Sequence, residues 1–124
     1  MNINEINSGT LAFLGDSVYE INIRYYLVTK FNKKPNELKE KSIKYVSAKS
    51  QELILESLLE KNILNKHEID IVMRARNYTP KSKPKNASII TYKKATALEA
   101  LFGMLYIENN HLRIDELIKE IVGE

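Results

Sequence analysis

Apolar residues recur along most of the chain at spacings of three and four, and nowhere hold a spacing of two. That period belongs to helices burying one stripe, so the chain reads as all-α. The stripe Leu11, Leu14, Val18, Ile21, Tyr25 and Val28 predicts a first helix near 10–29, with cap residues supplied by Asn7-Ser8-Gly9-Thr10. Ala12, Phe13, Tyr19, Ile23 and Leu27 fill its other faces. A helix apolar on nearly every side is expected to be buried and central.

Further helices follow from the same reasoning. Pro35 suits the first turn of a second helix over 35–46, with Leu38, Ile43 and Val46 inward. Ser47 caps a third over 48–62, with Leu53, Ile54, Leu58 and Leu59 inward. Asn65 and Glu68 form a capping box for a fourth over 66–76, carrying Ile69, Val72 and Met73. Pro80 and Pro84 make 77–88 a surface loop. A fifth helix spans 91–109, and a sixth spans 112–122 with Leu112, Leu117, Ile118 and Ile121 inward. The expectation is one domain over 1–124 with six or seven helices and no internal repeat.

Two of these helices contain a local conflict. The first places Gly15 and Asp16 among apolar residues, and the fifth places Glu99 and Gly103 among ten apolar residues between Ala95 and Ile107. Glycine weakens a helix, and a buried carboxylate is costly without a cation or donor set. The glycines would let the helices approach closely and bring Asp16 and Glu99 together. Paired carboxylates repel, and a divalent cation relieves them. Two carboxylates with several waters and phosphate oxygens is a usual Mg2+ shell. Each acid alone is more readily read as the partner of a Lys, an Arg or a backbone donor. Together, and next to a basic loop, they favour a metal. Glu20, one turn after Asp16, reads best as half of a salt bridge.

Charge sharpens this picture. Between Asp70 and Glu99 there is no acidic residue, but there are seven basic ones: Arg74, Arg76, Lys81, Lys83, Lys85, Lys93 and Lys94. The rest of the chain has twelve basic and sixteen acidic residues. One basic segment on an otherwise acidic chain points to a polyanion. Lysines in a Pro-containing loop are commonly just solvated, and Arg74 and Arg76 could simply complement a helix dipole. The start Ser47-Ala48-Lys49-Ser50-Gln51 could bind phosphate or serve as an ordinary cap. His67 and His111 are isolated and expected at the surface, and most of the tyrosines are expected in the core or at an interface. No cysteine is present, which excludes disulfides and thiolate metal sites and fits a reducing cytoplasm. There is no apolar run long enough to span a bilayer and no secretory signal pattern.

Phe13-Leu14-Gly15-Asp16-Ser17-Val18 resembles the signature helix of ribonuclease III, and Leu98-Glu99-Ala100-Leu101-Phe102-Gly103 resembles its second acidic helix. The segments Leu11 to Asp16, Val46 to Gln51, Arg74 to Asn77 and Pro84-Lys85-Asn86 resemble the Mini-ribonuclease III branch, which has no separate double-stranded-RNA-binding domain. The likeness covers nearly the whole chain. Gly9, Ala12 and Thr96 stand where the full-length enzyme has further acids, so only Asp16 and Glu99 match its acidic set.

The resemblance implies a Mg2+-dependent endoribonuclease cutting double-stranded RNA, with Asp16 and Glu99 as catalytic and metal-binding residues. It implies a homodimer, staggered cuts with 5′-phosphate and 3′-hydroxyl ends, and maturation of precursor 23S ribosomal RNA. A ribosomal protein presenting the substrate is a further partner it admits. Arg74, Arg76, Lys81, Lys83, Lys85 and Lys49 are the candidate RNA contacts. Two other readings stay open: a catalytically silent RNA-binding module, and a helical dimerisation protein without a nucleic-acid role.

Overall fold

The computed structural model describes residues 1–78 and 88–124, and every regular element among them is helical. A 3-10 turn, Ile3–Glu5, precedes α1 (Ser8–Lys30), α2 (Pro35–Val46), α3 (Ala48–Glu60), α4 (Lys66–Arg76), α5 (Ile89–Ile107) and α6 (His111–Val122). The expected loop around Pro80 and Pro84 lies outside the described residues.

Helix starts fall where a side chain can accept from the free N–H groups of the first turn. Asn7 accepts from Gly9, Ser47 from Ser50, Ser88 from Thr91 and Asn110 from Arg113. Asn65 and Glu68 cap each other's backbone in the expected capping box. Helix α2 relies on Pro35 instead, whose ring presets the helical φ. Gly123 ends α6 with a left-handed φ of 84°, which costs a residue without Cβ little.

The central helix is α5, not α1. From Ala95 to Leu105 every residue except Glu99 is buried. Helices α1, α3, α4 and α6 pack around it. Helix α1 covers one side, and its expected core stripe is rotated in the structure. Leu11, Ala12, Gly15, Val18, Tyr19, Ile23 and Leu27 are buried. Ile21, Tyr25 and Val28 are instead 66%, 71% and 62% exposed. Gly15 explains the rotation. The face containing it can approach α5 most closely, so the residues one turn either side of it become the core. The apolar residues left over form a second, outward face.

Ile43, Leu53 and Leu112, expected inward, are exposed; Leu58 and Leu117 are buried as expected, and Leu55 and Ile114 are buried with them. Several polar ties fix the helices about α5. Thr91 donates to Glu52 at 3.0 Å and Lys94 to Glu56 at 2.6 Å, binding α3 to α5. Glu68 is buried with a bidentate partner in Arg113, both bonds 2.8 Å, which joins α4 to the start of α6. The Tyr19 hydroxyl donates to the Tyr45 carbonyl at 2.8 Å, joining α1 to α2.

Candidate active site

The crossing of α1 and α5 is made by bare backbone. A β-carbon on Gly15 would overlap the Glu99 carbonyl, and one on Gly103 would overlap the Leu11 carbonyl. No residue but glycine fits at either point without moving a helix. Asp16 follows Gly15 directly, so the contact that fixes the helix spacing also sets Asp16 beside Glu99.

Both acids line a polar cleft of about 460 Å³, with Asn7, Gly9, Thr10, Ala12, Phe13, Tyr78, Tyr92 and Thr96. Asp16 is exposed rather than buried as its apolar neighbours suggested. Glu99 is half-buried. Burial, then the charge of Asp16 and a hydrogen bond with it, push the Glu99 carboxyl up to about 8. A hydrogen bond from the Gln51 amide opposes that shift. Near neutral pH, Glu99 therefore holds a proton that any nearby cation would displace.

The donor set fits a hard divalent ion. Two carboxylates meet at the cleft, and among the described residues no group of three or more His, Cys, Asp or Glu converges that could enclose a metal. Waters and phosphate oxygens would complete an octahedral shell, as is usual for Mg2+. Gly9, Ala12 and Thr96 line the same cleft. At Gly9 the space is taken by Tyr78, whose hydroxyl would lie 2.9 Å from a β-carbon there.

The profile of the ribonuclease III domain matches residues 9–110. The chain belongs to the ribonuclease III family. Its relatives include Mini-ribonuclease 3 of Staphylococcus aureus, 43% identical over 94% of this chain and 87% of that one. Mini-ribonuclease 3 of Streptococcus pneumoniae is 40% identical over 95% of this chain and 92% of its own. The crystal structure of a Fusobacterium nucleatum protein superposes with a TM-score of 0.85 at 32% identity, covering 98% of this chain and 95% of that chain. Family membership makes the chain an endoribonuclease of the ribonuclease III type, and it belongs with the Mini-ribonuclease 3 group.

The expected RNA contacts divide. Lys81, Lys83 and Lys85 lie outside the described residues. Arg76 is exposed at the end of α4. Lys49 is largely exposed, with its ammonium 2.9 Å from Glu52. Arg74 is tied into the fold through its guanidinium. It donates to the Ile6 carbonyl at 2.7 Å and, at 3.3 to 3.4 Å, to Ile3, Asn4 and the Ser8 hydroxyl. These bonds pin the N-terminal segment to α4.

Tyr78 and Tyr92, which no sequence pattern singles out, both line the cleft. Gln51, at the start of α3, is buried. No helix among the described residues is long and apolar enough to cross a membrane.

Proposed function

We propose that the protein cuts double-stranded RNA by Mg2+-dependent hydrolysis, with Asp16 and Glu99 holding the ion. The observation carrying this reading is the convergence of the two acids in one polar cleft, where the charge of Asp16 helps to raise the Glu99 carboxyl. A bound Mg2+ supplies charge neutralisation at the scissile phosphate and activation of water. Asp16 and Glu99 fix the position of that chemistry relative to the α1–α5 crossing. No side chain serves as a nucleophile. A water oxygen bonds to phosphorus, the P–O3′ bond breaks, and the leaving oxygen takes a proton, giving 3′-hydroxyl and 5′-phosphate ends.

Duplex RNA suits this arrangement through its backbone geometry, which proteins read by shape and phosphate position. Arg76, Lys49, Lys81, Lys83 and Lys85 are the proposed phosphate contacts. The two strands run antiparallel, so a two-fold dimer offers one cleft to each. The outward apolar face of α1 supports that dimer. Ile21, Tyr25 and Val28 are exposed together on the same helix as Asp16. Exposed apolar area of this kind marks protein contacts. The biological substrate we infer is precursor 23S ribosomal RNA, processed in the cytoplasm, where a ribosomal protein could assist presentation.

The test is cleavage of a labelled RNA duplex and of its separated strands, with Mg2+ and after chelation. Cutting of the duplex alone, lost on chelation and leaving 5′-phosphates, is expected. Equal cutting of single strands or in chelator would overturn the proposal.

A further inference from the structure

The wall of the acid cleft includes a phenol that holding a cation does not require. Tyr78 follows α4 closely, and its N–H donates to the Ala75 carbonyl at 3.1 Å, so the last turn of that helix fixes its backbone. From there the side chain reaches the first turn of α1. A β-carbon on Gly9 would lie 2.9 Å from the Tyr78 hydroxyl and 3.1 Å from the ring carbon bearing it. Both separations are shorter than ordinary packing allows. The phenol therefore occupies the room that a side chain at position 9 would need.

Tyr78 also borders a second hollow. A groove of about 410 Å³ on its other side is lined by Tyr78 and Asn7 together with Asn77 and Arg74. Since Tyr78 and Asn7 line both hollows, they form the partition between them. Arg76, exposed at the end of α4, lies two residues before Tyr78. A strand held at the acid pair and at Arg76 would cross this partition.

The chemistry of the cleft narrows what Tyr78 can meet. Among the described residues, the lining side chains other than Asp16 and Glu99 are uncharged. Such a wall suits a neutral hydroxyl better than the charge of a phosphate. A phenol both donates and accepts, and so does the ribose 2′-hydroxyl. The other neutral groups are less suited. Asn7 Oδ1 already accepts from the Gly9 N–H at 2.7 Å, and Thr96 is buried. Tyr78 is half-buried, and its hydroxyl rests against Gly9 before any substrate arrives. A side chain ordered in advance loses little freedom on binding.

We propose that Tyr78 is a specificity-determining RNA contact: seated on Gly9 at the cleft wall, its hydroxyl hydrogen-bonds a ribose 2′-hydroxyl next to the scissile phosphate, a group that DNA lacks. This rests on the reading of the acid cleft as the place where duplex RNA is cut.

The test is single-turnover cleavage in Mg2+ by the natural chain, Tyr78→Phe and Gly9→Ala. Two duplexes are compared, one all ribose and one with 2′-deoxy nucleotides on either side of the mapped cut. The quantity read is the protein concentration giving half the maximal rate. Phenylalanine keeps the ring and removes only the hydroxyl, whereas a methyl group at position 9 pushes the phenol from its seat. The natural chain should need roughly 3- to 10-fold more protein for the deoxy duplex, the size of one lost hydrogen bond. Tyr78→Phe should need that excess for the ribose duplex already, and no further excess for the deoxy duplex. Gly9→Ala should behave like Tyr78→Phe, and the two substitutions together should do no more than either alone. If Tyr78→Phe keeps the natural ratio between the duplexes, the inference is overturned, whether or not its melting temperature falls. A natural chain that treats both duplexes alike also overturns it. A natural chain that cuts neither duplex would instead remove the reading on which the inference rests.

Discussion

Gly15 and Gly103 face each other where α1 crosses α5. A β-carbon on either would run into the backbone of the opposite helix. The acids of the cleft follow from this contact, because Asp16 adjoins one glycine and Glu99 lies one turn before the other.

Alanine at either position should therefore cost more than a helix glycine normally would. In an exposed helix, Gly→Ala gains up to about 1 kcal/mol. Here the overlap is with backbone, which cannot rotate away, and overpacking typically costs about 1–3 kcal/mol or more. Urea unfolding of Gly15→Ala and Gly103→Ala should show destabilisation of at least that size. A gain in stability for either variant would mean that the helices do not touch as described.

The raised carboxyl of Glu99 gives the cation-free protein a distinct pH dependence. Its carboxyl ionises near the ordinary 4.5 when unfolded and near 8 when folded. Between those values the folded state holds a proton that the unfolded state lacks, so stability falls as pH rises. Below the window both states are protonated and the contribution is complete. Above it, the contribution has been lost. Melting in chelator from about pH 6 to about pH 9 should show this decline, and Glu99→Gln should flatten it. Saturating Mg2+ should also flatten it, by taking the place of the proton. A Glu99→Gln profile with the same slope as the natural chain would assign the decline to other groups.

Arg74 and Arg76 are two residues apart but should behave differently. Arg74 holds the N-terminal segment through several backbone carbonyls. Arg74→Ala should lower stability by about 1–3 kcal/mol, through carbonyls losing a charged donor, and leave the salt dependence of RNA binding unchanged. Arg76→Ala should leave stability within about 0.5 kcal/mol and reduce the slope of log affinity against log salt by about 1. The reverse pattern would exchange their roles.

Much of the fold was legible in the chain. Asn65 with Glu68, Pro35 and Ser47 carry local chemistry that marks helix starts, and each helix begins there. The two glycine–acid pairs were legible as a conflict with stability, and they meet in one cleft. The orientation of α1 was not. Two of its faces are apolar, and periodicity alone does not say which packs inward and which meets a partner. The ties of Arg74 were not legible, because its acceptors are main-chain carbonyls in and beside a 3-10 turn, which no side-chain pattern announces.

The outward face of α1 leads to a direct solution test. Ile21→Glu places a charge in the exposed strip well away from the α5 contact. In sedimentation velocity the natural chain should run as a dimer and Ile21→Glu should shift toward the monomer. Identical sedimentation of the two would place the dimer contact elsewhere or remove it.

The shared cation of Asp16 and Glu99 is tested most directly by the rate of duplex RNA cleavage across a Mg2+ titration, for the natural chain, Asp16→Asn and Glu99→Gln. Both amides keep the shape of the cleft and remove one charged ligand. The expected result is that each variant binds the duplex normally but fails to cut it at Mg2+ levels that saturate the natural chain. Cutting by either variant at the natural rate and with the natural Mg2+ dependence would contradict the account.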